Sequence, residues 1–376
     1  MPHTPSAEGD VMHSEWTKET ISSWLRTDSA ETLRKLWSHA DAVRKEHVGE
    51  AVHFRGLIEF SNYCVRDCLY CGLRGSREEL QRYRMSADEI VEAALAAYDY
   101  GYGTVVLQSG QDHGFSTEWL ADIIRRIKNK TPLAVTLSVG ERSPQEFREW
   151  REAGADRYLL RFETSDNTLY HRVHPHRATD QHTRLDLLRI LRNSGYEIGS
   201  GCMIGMPGQS YESLAEDLLL FRKLDLDMIG VGPFIAHPDT PLGAQTAPPA
   251  LEEQDQVPSS ELMTYKVIAL ARLLCPDANI PSTTALATLN KPDGREFGLE
   301  RGANVVMPNV TPPAYRQNYE IYPAKACITE DAAACRECMK NRIKSIGREV
   351  GQGRGDAKRK ESHVAPADAD IRGNTE

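Results

Sequence analysis

The sequence predicts an α/β protein: a (β/α)8 barrel of the TIM type, with a helical extension before it and a cysteine-containing extension after it. Three observations predict this. Short apolar runs alternate with amphipathic helical patterns roughly eight times, as parallel strands joined by crossover helices do. A chain of 376 residues suits one barrel of about 250 residues plus extensions. The unusual residues fall just after each apolar run, where the carboxyl ends of barrel strands form one rim and carry the site. An open doubly wound sheet is the alternative, but no Gly-x-Gly-x-x-Gly turn follows the first strand.

Residues 1–50 read as the helical extension, with Leu25, Leu33, Leu36, Trp37 and Val43 as buried positions of one or two helices between Ser22 and Val48. The barrel is assigned to residues 51–325. Val52, Phe54, Leu57, Ile58 and Phe60 give its first strand, and Ser86-Ala87-Asp88-Glu89 opens the next helix with a capping-box pattern. Further strands are expected at Thr104 to Leu107, Ala134 to Leu137, Arg157 to Arg161, Ile198 to Ile204, Met228 to Val231, around Ile280, and at Val305 to Met307. Helical patterns separate them at Trp119 to Lys128, Pro144 to Ala153, Arg184 to Asn193, Leu214 to Leu224 and Glu261 to Leu274. Pro248, Pro249 and Glu252 to Ser260 read as a surface insertion. Residues 326–350 form the cysteine-containing extension. Residues 351–376, rich in Gly, Asp, Lys and Ala, read as a disordered tail.

The composition, 26% charged and 40% hydrophobic, is that of a soluble globular protein. No apolar run approaches the roughly 20 residues of a membrane span, and the polar start lacks a secretory signal, so a cytoplasmic protein is expected. A net charge of -9 offers nucleic acid no overall attraction. The basic stretch from Lys340 to Lys360 reads as a solvated helix end and tail. Eight cysteines could form disulfides, but a chain this long needs no staples, and their clustering suits metal ligation better.

Cys64, Cys68 and Cys71 are spaced C-x3-C-x2-C. Three thiolates can hold three irons of a 4Fe-4S cluster and leave the fourth open, whereas ferredoxin-type electron carriers use four cysteines per cluster. A zinc site would need a fourth Cys or His, and the nearest downstream histidine is His113. Three inert thiols are the other alternative, in a segment made polar by Arg66, Asp67 and Arg74. The spacing, with Tyr70 just before the last cysteine, resembles the signature of radical S-adenosylmethionine (SAM) enzymes. There SAM chelates the open iron and one electron cleaves it to a 5'-deoxyadenosyl radical.

Longer strings resemble one group within them. Ile58-Glu59-Phe60-Ser61-Asn62-Tyr63-Cys64, Leu107-Gln108-Ser109-Gly110, Arg157 through Thr164, and Gly232-Pro233-Phe234-Ile235-Ala236-His237-Pro238-Asp239-Thr240-Pro241 are similar to the FeFe-hydrogenase maturases of the HydE type. Methylornithine synthase and biotin synthase are relatives of the same barrel and SAM chemistry. Gln111 departs from the pattern, since relatives often carry an acidic residue there.

The resemblance implies that Glu163 and Arg184 bind SAM, with Tyr70 and Met203 beside its adenosyl group. It implies a cavity lined by Gln108, Ser109, Thr136, Arg161, Thr283, Thr284 and Tyr315, with Arg161 holding the carboxylate of a cysteine-derived substrate. Arg161 alternates with Leu159, and an inward arginine needs an anion. The implied reaction is assembly of the hydrogenase dinuclear iron subcluster. An iron complex carrying carbon monoxide, cyanide and cysteine, supplied by the maturase HydG, is attacked at sulfur by the adenosyl radical, and the product moves toward the scaffold HydF. A reducing electron donor is also implied. A methylornithine synthase-like mutase and a non-catalytic iron-sulfur scaffold are the competing readings. Cys327, Cys335 and Cys338 resemble an accessory iron-sulfur site of some family members, with a zinc site and free thiols as alternatives.

Overall fold

The computed structural model describes residues 15–244, 251–326 and 332–358, with side chains from residue 336 in the last stretch. Its strands are β1 (Ala51–Ser61), β2 (Thr104–Ser109), β3 (Ala134–Ser138), β4 (Arg157–Leu159), β5 (Glu197–Ser200), β6 (Met203–Ile204), β7 (Met228–Ile229), β8 (Gly232–Pro233), β9 (Val305–Val306) and β10 (Glu349–Val350). The order β1-β2-β3-β4-β5-β7 is parallel throughout. Parallel bridges from Met228 to Asn279 and from Pro281 to Val305 carry the sheet on to β9, which pairs with β1 at His53 and Phe54. The sheet therefore closes on itself as an eight-membered α/β barrel, with residues 279–281 in the place of a strand.

Side chains alternate across this wall. Ile58 and Phe60 of β1 face the helices, where Phe60 packs on Phe115 and Trp119 at 5.6 and 6.2 Å. Leu57 and Glu59 consequently face the barrel interior, as do Gln108 of β2, Thr136 of β3 and Arg161, two residues beyond β4. Ser86 and Glu89 form the predicted capping box at the start of the helix Ala87–Asp99.

Four expected strands come out shorter: β4 stops at Leu159, β9 stops at Val306, and two runs are split. The run from Ile198 to Ile204 splits into β5 and β6 at Gly201, where an added Cβ would lie 1.9 Å from the carbonyl of Gly230. The run from Met228 breaks at Gly230 into β7 and β8. Close approach of two backbones at the rim interrupts the ladder there, and β6 and β8 resume it as a separate pair.

Outside the barrel, the helices Lys18–Arg26 and Ala30–Val48 pack on Tyr211–Lys223 and Glu261–Leu274. The stretch from Glu252 to Ser260 is more than a surface insertion: Gln256 accepts from Gly208 N–H at 2.7 Å and donates to Met206 O at 3.0 Å. Residues 245–250, which include Pro248 and Pro249, lie outside the described residues.

The tail expected from Gly351 requires correction. β10 pairs with Ala51 and Val52, and Gly351 to Lys358 then run across the amino ends of the strands. Thr104 Oγ1 donates to Arg354 O at 2.8 Å, Arg55 to Gly355 O at 3.3 Å, and Arg157 ion-pairs with Asp356. Low apolar content does not prevent order here, because buried arginines on the strands need the carbonyls and the carboxylate that this segment supplies. Residues 359–376 lie outside the described residues.

Candidate active site

The cysteine loop follows β1 directly, so the three thiols stand at the rim. Cys68 is buried, and Cys64 and Cys71 are partly exposed. The sulfurs are close enough to act on one another: burial pushes the Cys68 thiol up to about 12, with Cys64 adding to the rise, and burial together with Cys68 and Cys64 raises Cys71. The Tyr70 side chain hydrogen-bonds Cys68 and opposes the shift. Buried thiols of this kind release their protons when a bound metal compensates the charge.

The loop is pinned on every side. Gly72 is required by close approach, since an added Cβ would lie 2.1 Å from Glu320 O and 2.7 Å from the His237 ring. His237 itself is buried and accepts from Asp239 N–H at 3.1 Å. This gives the His-Pro-Asp stretch a physical role as a buttress for the loop. On the other side Arg66 reaches Glu141 at 2.5 Å, Asp180 at 2.6 Å and Gln111 at 3.1 Å. Gln111 Oε1 also accepts from Glu141 N–H at 3.1 Å, so the neutral amide serves the loop well.

Glu141 joins this loop to Arg184, whose Nε donates to Glu141 Oε1 at 2.9 Å. Arg184 Nη1 donates to Arg161 O at 2.7 Å, and Nη2 donates to His174 Nε2. Glu163 lies 3.9 Å away. A guanidinium has five N–H groups, and three are occupied by these partners, which leaves two for a ligand. Glu163 itself sits in the left-handed region at φ 69, a conformation costly for a non-glycine residue and recurrent at functional sites.

Arg161 Nη2 donates to Cys202 O at 2.8 Å and stands 2.9 Å from Glu163 Oε2. The second approach is an ion pair without hydrogen-bond alignment, so the buried Oε2 has no hydrogen-bond donor, and Arg161 Nε has no acceptor. Thr136 Oγ1 and Thr283 Oγ1 are also buried without partners. Partnerless buried atoms of this kind call for a polar ligand, because unsatisfied buried groups cost about 1–3 kcal/mol each. Beside them an apolar cluster of Leu169, Val173, Met206 and Leu242, backed by Leu69, Tyr70, Met203 and Phe234, offers a surface for a flat ring.

The radical SAM superfamily profile matches residues 58–221. The FeFe hydrogenase maturase subunit HydE of Thermotoga maritima is 44% identical over 345 residues, covering 92% of this chain and 95% of the relative. The chain belongs to the HydE family of radical SAM enzymes. The 3-methylornithine synthase of Methanosarcina acetivorans is 29% identical over 77% of the chain and 78% of the relative. Among solved structures, methylornithine synthase aligns with a TM-score of 0.75 at 25% identity, over 90% of this chain and 95% of the other. HydG of Carboxydothermus hydrogenoformans aligns with a TM-score of 0.70 at 20% identity, over 88% and 74%, a likeness of fold.

Membership of the HydE family implies a 4Fe-4S cluster and SAM, and the site fits both. Cys64, Cys68 and Cys71 would hold the cluster. Among the described residues no three His, Cys, Asp or Glu side chains gather around a single metal ion, and ligands of a cubane stand at separate corners. The unpaired Glu163 oxygen, the two remaining N–H groups of Arg184 and the apolar surface at Tyr70 and Met203 match the polar and flat parts of SAM.

The other expected cavity residues divide. Gln108, Thr136 and Arg161 are inward-facing, and the Gln108 side chain hydrogen-bonds Tyr319. Thr283 precedes the helix Thr284–Leu289 and stands 3.4 Å from the position a Cβ on Gly232 would take. Thr284 is the first residue of that helix, and its carbonyl accepts from Thr288 at 2.9 Å. Ser109 turns to its own loop, donating to Gly110 O at 2.6 Å. Tyr315 does not line the cavity. It belongs to the short helix Pro313–Arg316, donates to Glu89 Oε1 at 2.7 Å and stacks on Tyr83 at 4.8 Å, on the flank of the barrel.

Tyr319, Tyr322 and Lys325 enter the interior instead. The sequence held no periodic signal for them, because the segment that carries them is irregular. Cys327 lies outside the described residues, as does the side chain of Cys335, and Cys338 is exposed on the helix Ala332–Ser345.

Proposed function

We propose that this protein acts as a maturase in assembly of the dinuclear iron subcluster of FeFe-hydrogenase, on an iron complex carrying carbon monoxide, cyanide and cysteine. When bound, the cluster and SAM would together supply a 5'-deoxyadenosyl radical for attack at the cysteine sulfur. The chain's own residues bind and orient. Arg161, with Nε unpaired, takes the substrate carboxylate, and Thr136 and Thr283 supply hydroxyls to it. Glu163 and Arg184 hold the polar end of SAM, and Tyr70 and Met203 cover its adenosyl group. Supply of the complex by HydG, passage of the product toward HydF, and a separate one-electron donor belong to the same reading. An accessory iron-sulfur cluster at Cys327, Cys335 and Cys338 is a further part of the proposal.

The observation that carries this reading is the buried Arg161 Nε without an acceptor next to Glu163, joined by the partnerless buried hydroxyls of Thr136 and Thr283. The test is anaerobic reconstitution with iron and sulfide, reduction, and measurement of 5'-deoxyadenosine with SAM, with and without the cysteine-ligated iron complex. An adenosylated, sulfur-linked product is expected only with the complex. Cys68→Ala should abolish SAM cleavage. Arg161→Lys keeps the charge but loses the fork and should raise KM for the complex about tenfold, the loss of roughly one charged hydrogen bond. SAM cleavage without that product would move the reading to a methylornithine synthase-like mutase, and no cleavage in the reconstituted protein to a scaffold.

A further inference from the structure

Residues 318–326 cross the mouth of the barrel as an irregular strap. Tyr319 is buried in the core and hydrogen-bonded to Gln108, and four further attachments run to the cysteine loop, the helix Thr284–Leu289 and β1. Asn62 Nδ2 donates to Asn318 O at 2.7 Å, Gly72 N–H to Ile321 O at 3.1 Å, and Ala326 N–H to Thr288 Oγ1 at 3.1 Å. The fourth attachment is an ion pair between Lys325 Nζ and Glu59 Oε1, with the two side chains only 5% and 1% exposed. Asn309 Nδ2 satisfies the other Glu59 oxygen at 2.8 Å, and Lys325 stands 5.2 Å over the Tyr319 ring. Next to Lys325, Ala324 is held at φ 53, strained for a residue with a Cβ.

A permanent wall would be served as well by apolar packing, because burying a salt bridge is often neutral or worse than a hydrophobic contact. An ion pair differs in its open state: once water reaches it, both charges are solvated, so separating them costs less than the buried geometry suggests. Strap residues also face both ends of the site. Tyr322 bonds Thr288, and its hydroxyl lies within electrostatic reach of both Glu59 and Arg161. Ile321 binds the residue immediately after Cys71, and Glu320 stands 3.5 Å from His237.

We propose that 318–326 is a movable wall of the substrate cavity, latched by Glu59 and Lys325. Lys325 is a positioning residue that acts through Tyr322 and through the bond from Gly72 to Ile321. This rests on the reading of the barrel interior as the substrate cavity.

Hydrogen exchange read by mass spectrometry on the full-length, cluster-loaded protein tests it without any substrate. The variants are Lys325→Met and the charge-neutral double variant Glu59→Gln/Lys325→Met, which leaves no buried lone charge. In the double variant, peptides containing Gly72 and residues 318–326 should exchange at least tenfold faster, with peptides from β2 and β3 unchanged. Acceleration throughout the barrel would make the pair a fold element, and no acceleration anywhere would leave the strap without a latch; either result overturns the proposal. A companion measurement separates positioning from packing: KM for the iron complex should rise about tenfold in the double variant, with turnover at saturation within about twofold. If the iron complex proves not to be the substrate, the exchange result stands on its own.

Discussion

His174 is 2% exposed, stacks on Tyr170 at 4.9 Å and accepts a hydrogen bond from Arg184. Burial, then the Arg184 and Arg66 charges, push its pKa down to about 2, with His171 adding to the fall and a backbone hydrogen bond opposing it. The native ring therefore stays neutral where an unfolded histidine, with its pKa near 6.5, takes up a proton. Stability falls as pH drops below about 6.5, by up to roughly 1.4 kcal/mol per pH unit. Denaturant titrations at pH about 7 and about 5 should show His174→Gln losing about 2 kcal/mol less than the parent over that interval, since glutamine keeps an acceptor and cannot titrate. At this scale the cysteine spacing singles out Cys64, Cys68 and Cys71 from the sequence alone, whereas Glu163 and Arg184 stand out only through the family resemblance. The sequence did not show His174 or Lys325, whose meaning comes from partners ten and 266 residues away along the chain. Tyr315 was misplaced for the same reason: an isolated tyrosine in an irregular stretch has no periodicity to say which way it faces.

At the level of elements, the cysteine loop is held by neighbours that the chain supplies from four separate places: Gln111, Glu141, His237 and the strap. Gly72 is the point where two of them press on it. Gly72→Ala would drive a methyl group into Glu320 O and the His237 ring, and backbone at that distance has to move. Iron content after reconstitution should fall below about half of the parent's, with the far-ultraviolet dichroism of the barrel retained, since overpacking costs of about 1–3 kcal/mol distort one loop without unfolding a domain. The regular elements were legible in advance. Ser86 with Glu89 announced a helix start, and the run from Val52 to Phe60 announced β1. The splitting of β5 from β6 was not, because it depends on how closely Gly201 meets Gly230 across the sheet.

Over the whole molecule, the barrel is sealed at its two ends by stretches of chain that follow the last barrel strand. The strap closes the mouth, and Gly351 to Lys358 close the base over Arg157, which is fully buried against Glu197 at 2.7 Å and Thr104 at 2.9 Å. Burial lowers the Arg55 guanidinium to about 9, beside Arg157, while Glu197 and Asp356 oppose the fall. Truncation after Val350 should therefore cost about 3 kcal/mol in urea denaturation, the loss of partners for two buried cations. The sequence by itself determined the barrel, the cysteine triplet and the rim on which it stands, because strand periodicity, cysteine spacing and position after a strand are local properties of a chain. Only the tertiary structure decided which residues seal the barrel, which tyrosines enter it and which buried charges meet, because those depend on irregular segments whose side chains are aimed by the contacts they make and not by any repeat.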